Sequence, residues 1–286
     1  MILALNSGLG HRTRMERLQI ELQNRNVSTK LQLVDQDFQI LNLIRSDQNQ
    51  LIVIDCRDVD LSIDKVAYHN ASIIAIDNLN QNRFPVSHHI KNKLMYYDTL
   101  PHPMLDESFH QIMNQILLDD QLLKQKTGNQ NRICFYAGPK GFLSDQTILT
   151  VDKVFQNSPN YIQIGGNRPT FTRTEYLNLL AESKWLITYP GMSFYESLYL
   201  NVIPILIETE SEVHDSLSRY LVNKFGCLYV TNETLFSNQS LNQMLVDDQM
   251  VLQSLDLDLF HWRNHLRSKS GIKKLADRIE ESYHGS

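Results

Sequence analysis

Cysteine is scarce in this sequence, with three residues in a chain of 286. Cys56, Cys134 and Cys227 are far apart, and each lies in or beside an apolar stretch typical of a buried strand. A disulfide-rich secreted domain needs an even set of closely spaced cysteines, and a metal site needs neighbouring ligands. The pattern therefore predicts reduced core cysteines and no disulfide framework.

Two further absences limit the class of protein. No apolar run approaches the ~20 residues of a membrane-spanning helix, and the first residues lack the charged segment and long apolar stretch of a signal peptide. Basic residues do not exceed acidic ones, and the formal net charge is -5. Nonspecific nucleic-acid binding needs a basic surface that displaces counterions. We therefore expect a cytoplasmic globular protein with no membrane span and no nucleic-acid partner, and no pattern sets an oligomeric state.

The chain does contain a regular alternation of short apolar segments with helical patterns. Continuously apolar strands separated by helices indicate parallel sheets covered on both faces. A polar segment at residues 124–131 divides the alternation into two runs of comparable length. We predict an α/β protein with two Rossmann-like domains, residues 1–126 and 131–286, whose parallel sheets face a cleft. The amphipathic stretch at residues 259–283 is a candidate to cross back onto the first domain.

The alternation gives each element definite bounds. The predicted strands cover residues 2–5, 30–34, 51–55, 72–76, 93–97, 133–136, 161–164, 185–189, 204–207 and 227–230. The predicted helices cover residues 12–25, 37–45, 110–123, 174–183, 193–200 and 212–225. In the first helix, Met15, Leu18 and Leu22 recur at spacings of three and four, which places them on one apolar stripe.

Residues 6–14, Asn-Ser-Gly-Leu-Gly-His-Arg-Thr-Arg, join the first strand to the first helix. Two glycines at such a turn let backbone N–H groups approach an anion closely, and a helix N-terminus favours negative charge. Gly10 and Arg14 are therefore candidate phosphate-binding residues. The third glycine of the dinucleotide fingerprint is absent, which disfavours NAD. His11, a titratable ring beside the turn, is the candidate catalytic residue.

Residues 188–196, Thr-Tyr-Pro-Gly-Met-Ser-Phe-Tyr-Glu, lie between an apolar strand and a helix. Ser193 and Glu196 have the spacing of a capping box, in which two side chains satisfy N–H groups at a helix start. The same helix start can bind a pyrophosphate through the N–H groups of Gly191, Met192 and Ser193. Glu196 would then accept hydrogen bonds from two ribose hydroxyls. Capping and nucleotide binding both fit the motif, and they do not exclude each other.

An acidic loop at residues 208–215, Glu-Thr-Glu-Ser-Glu-Val-His-Asp, follows a later apolar strand. Glu210 and His214 stand four residues apart, a spacing that places both on one face of a helix. A metal site needs at least a third ligand, and none stands at a diagnostic spacing, so the sequence predicts no metal. Contact with sugar hydroxyls is the favoured use of these two side chains.

Acidic residues also end two predicted strands in the first half of the chain. Asp55 ends one of them, and Asp77 with Asn78 follows the other. A carboxylate at a strand end can orient a histidine, accept sugar hydroxyls or cap the next helix, and capping is the commonest case. Asp77 and Asn78 are candidate sugar-binding residues.

The glycine–histidine turn and the second-half motif together resemble a known family. Residues 8–14, Gly-Leu-Gly-His-Arg-Thr-Arg, resemble the Gly-x-Gly-His-x-x-Arg turn of the UDP-sugar hydrolase of pseudaminic acid biosynthesis. Residues 73–77 resemble a strand of its first domain. Residues 181–226, which include Gly191-x-Ser193-x-x-Glu196, are similar to the donor-binding half that this hydrolase shares with the lipid II N-acetylglucosaminyltransferase.

The resemblance implies a glycosyltransferase-B fold, with UDP held mainly by the second domain at the positions of Ser193 and Glu196. It also implies that His11 deprotonates a water that attacks the anomeric carbon, releasing UDP with inversion and without a metal or cofactor. The chain is then expected to hydrolyse a UDP-linked amino or deoxy sugar in bacterial surface-glycan biosynthesis. Two alternatives stay open: a glycosyltransferase that passes the sugar to an acceptor hydroxyl, and a nucleotide-sugar binding protein without turnover.

Overall fold

The structure, a computed structural model, divides the chain into two compact units. It describes residues 1–5, 9–34, 36–46, 51–55, 72–76, 94–97, 132–138, 143–166, 168, 171–225, 227–236 and 271–284. The first unit contains the described residues up to Tyr97 together with Gly271–His284. The second unit contains those from Arg132 to Phe236.

Strands and helices alternate along both units. The strands are β1 (Ile2–Leu5), β2 (Lys30–Leu33), β3 (Leu51–Asp55), β4 (Ser72–Ile76), β5 (Leu94–Tyr97), β6 (Arg132–Gly138), β7 (Tyr161–Gly165), β8 (Ser183–Thr188), β9 (Ile203–Ile207) and β10 (Leu228–Val230). The helices are α1 (Leu9–Asn24), α2 (Asp37–Ser46), α3 (Asp145–Phe155), α4 (Arg173–Ala181), α5 (Met192–Leu200), α6 (Glu212–Phe225), α7 (Asn232–Phe236) and α8 (Gly271–His284).

The ten strands confirm the predicted alternation, and α3 and α7 are additions to it. The predicted helix at residues 110–123 and the polar segment at residues 124–131 lie outside the described residues. None of the described helices combines the length and the apolar character that crossing a bilayer requires.

The first unit is built on a parallel sheet with the strand order β2-β1-β3-β4-β5. β1 pairs with β2 on one side and with β3 on the other, so that Leu5 stands opposite both Leu33 and Asp55. The direction of winding reverses between β1 and β3. In open parallel sheets, ligands bind at the carboxyl ends of the strands beside this reversal. A ligand of the first unit is therefore expected beside the segments that follow β1 and β3.

Helix α8 belongs to the core of the first unit. The predicted stripe of α1, formed by Met15, Leu18 and Leu22, is fully buried. It packs in one cluster with the apolar face of α8, which consists of Ile272, Leu275, Ala276 and Ile279. Arg25, at the end of α1, donates hydrogen bonds to Asp277 at 2.6 Å and to Glu280 at 2.9 Å. The second unit thus ends before α8 in the chain.

The second unit repeats the topology of the first. Its strand order is β10-β9-β8-β6-β7, and all neighbouring strands are parallel. Counted from its own first strand, this order matches that of the first unit, with the reversal between β6 and β8. Its core contains Phe135, Phe155, Phe194 and Tyr195, all almost completely buried. The structure confirms the predicted pair of Rossmann-like parallel sheets.

Two of the cysteines contribute to the core of the second unit. Cys134 and Cys227 are free and buried, and burial raises the pKa of both thiols to about 12. Neutral thiols in apolar surroundings behave as small hydrophobic groups. The prediction of reduced core cysteines is confirmed for these two, and Cys56 lies outside the described residues.

Candidate functional site

The carboxyl ends of β1 and β3 bring together His11, Arg14 and Asp55. Helix α1 begins at Leu9, so His11 lies in its first turn. Arg14 follows three residues later and therefore faces the same side of the helix. Asp55 is the last residue of β3, the neighbour of β1 in the sheet. The winding reversal of the first unit thus carries a histidine, an arginine and a carboxylate.

These three side chains form a buried hydrogen-bonded group. His11 Nδ1 lies 2.7 Å from Asp55 Oδ1. Arg14 donates from Nε to Oδ2 at 2.9 Å and from Nη2 to Oδ1 at 2.5 Å. The Asp55 side chain is 0% exposed and that of Arg14 is 5% exposed. A charge this deeply buried is tolerated only when a counter-charge and hydrogen bonds compensate it, and Arg14 supplies both.

The charge on Asp55 determines which nitrogen of His11 carries a proton. Burial, the largest contribution, raises the pKa of Asp55, but the charge of Arg14 and the hydrogen bond from His11 together bring it below its ordinary value. Asp55 is therefore an ionised acceptor at neutral pH, and the ring nitrogen beside it must donate. Arg14 Nη2 also lies 3.2 Å from Nδ1, but this guanidinium nitrogen cannot accept a proton, and it donates to Asp55 Oδ1 at 2.5 Å. Nδ1 carries the proton, which leaves the lone pair on Nε2.

The site assigns Arg14 a role different from the predicted phosphate binding. Its guanidinium is buried and holds both carboxylate oxygens of Asp55. Gly10 lies beside His11 in the first turn of α1, whereas residues 6–8 of the glycine turn lie outside the described residues. The first unit therefore presents an oriented imidazole, the geometry of a general base.

In the second unit, the turn from β8 into α5 presents an uncapped helix start. Helix α5 begins at Met192, and Gly191 is its N-cap, which makes no side-chain capping hydrogen bond. Ser193 thus lies inside the helix, so Ser193 and Glu196 do not form the capping box that their spacing allowed. Because the N-cap has no side chain, it leaves the first-turn N–H groups of α5 uncapped on its side, as an anion site requires.

The capping box of this unit is at the neighbouring helix α4. The Thr172 hydroxyl accepts a hydrogen bond from the Glu175 N–H at 3.3 Å, and Glu175 accepts one from the Thr172 N–H at 2.7 Å. Glu196 has a different partner, because its Oε1 accepts a hydrogen bond from Arg173, the first residue of α4. Glu196 is 2% exposed, and its Oε2 has no hydrogen-bond partner within the described ranges.

Three tyrosines pack together near the carboxyl end of the sheet, and the charge of Glu196 acts on two of them, Tyr136 and Tyr176. The ring of Tyr136 lies 5.5 Å from that of Tyr176 and 6.1 Å from that of Tyr189. Burial raises the pKa of Tyr136, and the nearby charge of Glu196 raises it further. The phenol therefore stays protonated at neutral pH, and the cluster is a rigid aromatic surface with hydroxyl groups.

Gly138 adjoins this cluster where β6 ends. Its φ of 74° lies in the left-handed region, and a Cβ built there would overlap the phenol of Tyr189. We expect Gly138→Ala to lower the free energy of unfolding by about 2–4 kcal/mol, from backbone strain and overpacking together. Thermal or urea unfolding measures the loss. An unchanged melting temperature would show that Tyr189 moves aside freely.

Of the remaining predicted site residues, two are described by the structure and two are not. Glu210 is exposed in the loop before α6, whereas His214 is buried with its ring edge-on to Tyr189 at 6.2 Å. His214 thus belongs to the aromatic cluster. Asp77 and Asn78 lie outside the described residues. The described residues contain no group of three side chains that could ligate a metal ion.

Comparisons with known proteins rest on structure alone. No family model matches the chain, and no curated protein matches its sequence. The glycotransferase of kitacinnamycin matches with a TM-score of 0.57 and 13% identity over 98% of both chains. A UDP-glucosyltransferase from Polygonum tinctorium, capable of glucosylating indoxyl, matches with a TM-score of 0.58 and 10% identity over 99% of this chain and 98% of its own.

A third solved structure bears on the same fold. The spinosyn rhamnosyltransferase SpnG, complexed with thymidine diphosphate, matches with a TM-score of 0.57 and 8% identity over 98% of this chain and 99% of its own. Each of these neighbours is a glycosyltransferase, and together they confirm the expected glycosyltransferase-B fold. The likeness at such low identity concerns the fold, so the activity must be argued from the residues.

Proposed function

We propose that this chain is an inverting glycosyltransferase that moves a sugar from a nucleoside diphosphate to an acceptor hydroxyl. The observation that carries the proposal is the 2.7 Å contact between His11 Nδ1 and the buried Asp55 carboxylate, which leaves Nε2 as a base. The uncapped start of α5 and the buried Glu196 support a nucleotide site on the second unit. The fold is that of solved glycosyltransferases.

His11 would act on the acceptor. Its Nε2 takes the proton of the acceptor hydroxyl while the hydroxyl oxygen forms a bond to the anomeric carbon. The bond from that carbon to the diphosphate oxygen breaks on the opposite face, so the configuration inverts. Asp55 stabilises the imidazolium that results. General-base assistance of this kind contributes about 10²- to 10⁴-fold to the rate.

The second unit would hold the donor. Diphosphate oxygens accept hydrogen bonds from the N–H groups of Gly191, Met192 and Ser193, where the helix dipole favours negative charge. The same groups stabilise the charge that develops on the leaving diphosphate. The side chain of Glu196 leans toward the N-terminus of its helix, as helical side chains do, and its Oε2 would accept ribose hydroxyls. These contacts fit a sugar linked to a ribonucleoside diphosphate, and a UDP-sugar is the donor that we propose; no step requires a cofactor.

Gly191 offers a test of the diphosphate site that leaves the fold intact. Its backbone is extended, with φ 175°, and among the residues that the structure describes a Cβ built there meets only the Tyr189 ring, at 3.7 Å. We expect Gly191→Ala to fold with an unchanged melting temperature but to bind UDP about tenfold more weakly, because the methyl group hinders approach to the helix N–H groups. Calorimetric titration with UDP measures the change. Wild-type affinity in this variant would place the diphosphate elsewhere.

Hydrolysis is the second candidate, because residues 8–14 resemble the turn of a UDP-sugar hydrolase. The same oriented base would then act on water. The expected role in bacterial surface-glycan biosynthesis belongs to this candidate. The similarity to glycosyltransferase structures favours transfer.

One assay separates the candidates. The purified full chain is incubated with UDP-glucose, UDP-N-acetylglucosamine or a UDP-linked deoxyamino sugar, with and without a panel of hydroxylated aglycones. UDP release that depends on an aglycone, with a glycosylated product, supports transfer. Release at the same rate without an aglycone supports hydrolysis. Nucleotide-sugar binding without release under either condition overturns both activities and indicates a binding protein.

A further inference from the structure

The carboxylate of Glu196 is held by one oxygen only. Oε1 accepts a hydrogen bond from Arg173, while Oε2 is buried and contacts no donor in the part of the chain that the structure describes. Buried polar atoms are almost always hydrogen-bonded, so an oxygen left this way needs a specific explanation. A ligand hydroxyl that binds there would remove the cost of the unmade hydrogen bond.

Arg173 is itself fixed in place. Its guanidinium lies over the ring of Tyr176, 5.4 Å from the centroid, and Tyr176 stands one helical turn further along α4. The Thr172–Glu175 capping box fixes the helix start from which Arg173 projects. The Arg173 side chain is 34% exposed, whereas that of Glu196 is 2% exposed. A stacked, planar guanidinium on a capped helix is a well-oriented donor for a buried carboxylate.

In this arrangement one oxygen of Glu196 binds Arg173, and the other is left for a ligand. With Oε1 held by Arg173, rotation of the carboxylate is restricted, and Oε2 keeps one orientation. Burial and the nearby charge of Glu196, in that order, raise the pKa of Tyr176 well above its ordinary value, and Glu196 itself is 2% exposed. The carboxylate therefore sits in a site where a hydrogen bond to a charged acceptor is stronger than in water.

We propose that Arg173 is a positioning residue that makes the second unit select ribonucleotides over deoxyribonucleotides, by holding Glu196 so that Oε2 receives a ribose hydroxyl. The inference rests on the proposed nucleotide site and adds a residue that determines its specificity. A site built to hydrogen-bond a hydroxyl rejects an analogue without it, because its own polar group is then left unpaired. The solved glycosyltransferases similar to this chain include one bound to thymidine diphosphate, so the fold itself does not fix this preference.

The test compares dissociation constants for UDP, 2′-deoxy-UDP and 3′-deoxy-UDP, measured by calorimetry on the full chain. We expect the wild type to prefer UDP over at least one deoxy analogue by about 10- to 100-fold. Arg173→Met should reduce this ratio toward one, and Arg173→Lys, which keeps the charge without the planar fork, should restore part of it. Glu196→Gln should lower the ratio as well.

Arg132 supplies a matched control. Its Nη1 lies 2.5 Å from Glu182 Oε2 in another arginine–glutamate ion pair of the same unit, at the amino end of β6. Arg132 and Gly138 lie at opposite ends of β6, so Arg132→Met breaks an ion pair away from the carboxyl end of the strand. This variant should leave the ratio of the dissociation constants for deoxy-UDP and UDP unchanged. If Arg173→Met does not fold, Arg173→Gln, which keeps a donor and removes the charge, replaces it.

The outcomes separate this inference from the proposed function. If folded Arg173 variants keep the wild-type ratio of dissociation constants for deoxy-UDP and UDP, the inference is overturned but the nucleotide site is not. The Arg173–Glu196 ion pair would then serve only to hold α4 and α5 together. A ratio that rises in Arg173→Met overturns it too, since Arg173 would then compete with the ribose. A wild type that binds no UDP overturns the proposed nucleotide site itself.

Discussion

Replacing His11 by alanine is expected to lower kcat by about 10²- to 10⁴-fold while leaving UDP binding unchanged. The substitution removes Nε2, the ring nitrogen proposed to take the proton of the acceptor hydroxyl while Nδ1 donates to Asp55. The nucleotide site of the second unit does not include His11. Glycosyl transfer measured at saturating donor, beside calorimetric titration with UDP, distinguishes the two effects.

Arg12 is the matched control for this experiment. It lies next to His11 in the same helical turn, but its side chain is 61% exposed and pairs with Glu16 at the surface. Exposed ion pairs of this kind contribute little to stability. Arg12→Ala should therefore keep wild-type turnover. A His11→Ala enzyme with activity equal to that of Arg12→Ala would rule out His11 as the base.

The sequence predicted the strands better than the helices. The strand at residues 72–76 was predicted to the residue, because a short apolar run rich in isoleucine and bounded by polar segments is typical of a buried strand. Helix α3 was not predicted, although Ile148, Val151 and Phe155 recur at helical spacing. The signal was present, and Ser144 with its capping bond to the Thr147 N–H marks where the helix begins.

The site could be predicted only where it is local in sequence. His11 was found because the glycine turn places it directly after a strand. Its partner Asp55 lies 44 residues away, and their contact depends on β1 pairing with β3 rather than with another strand. No local pattern specifies that pairing. Arg173 and Glu196 are 23 residues apart, and their contact likewise depends on tertiary structure, here on the packing of α4 against α5.

The misplaced capping box has a similar cause. The required spacing, a Ser or Thr three residues before a Glu, occurs several times in the sequence, and two of these pairs are Thr172 with Glu175 and Ser193 with Glu196. Only the first pair stands at a helix start, because α5 begins two residues too early for Ser193 to be its N-cap. The residue at which α5 begins therefore decides whether Glu196 caps its own helix or pairs with Arg173 of α4.

Replacing Asp55 by asparagine is expected to impair both catalysis and folding. An amide in place of the carboxylate no longer fixes the proton on His11 Nδ1, and the resulting loss of the correct tautomer should lower kcat by about 10³- to 10⁴-fold. Arg14 would keep its charge at a buried position and would lose the carboxylate that pairs with it. Breaking a buried ion pair on one side costs about 3–5 kcal/mol, so urea unfolding should show a large loss of stability.

The pH dependence of stability tests the same group. The pKa of Asp55 is lower in the folded chain than its ordinary value of 3.8, so the unfolded chain binds this proton more readily. The stability that Asp55 contributes is therefore complete above about pH 4 and is lost as the pH falls through the folded value. Asp55→Asn should remove this part of the acid dependence. Parallel acid limbs in the variant and the wild type would show that Asp55 is not the titrating group.

The double variant Asp55→Asn/Arg14→Met separates the two roles of the carboxylate. It removes both charges of this buried ion pair, so the broken pair no longer leaves one of its charges behind, and stability should recover relative to Asp55→Asn alone. Turnover should not recover, because the acceptor that orients His11 is still missing. Recovery of both properties would mean that Asp55 acts only by neutralising Arg14. Recovery of stability without recovery of turnover would show that Asp55 has a separate role in catalysis, which is to orient and stabilise the His11 ring.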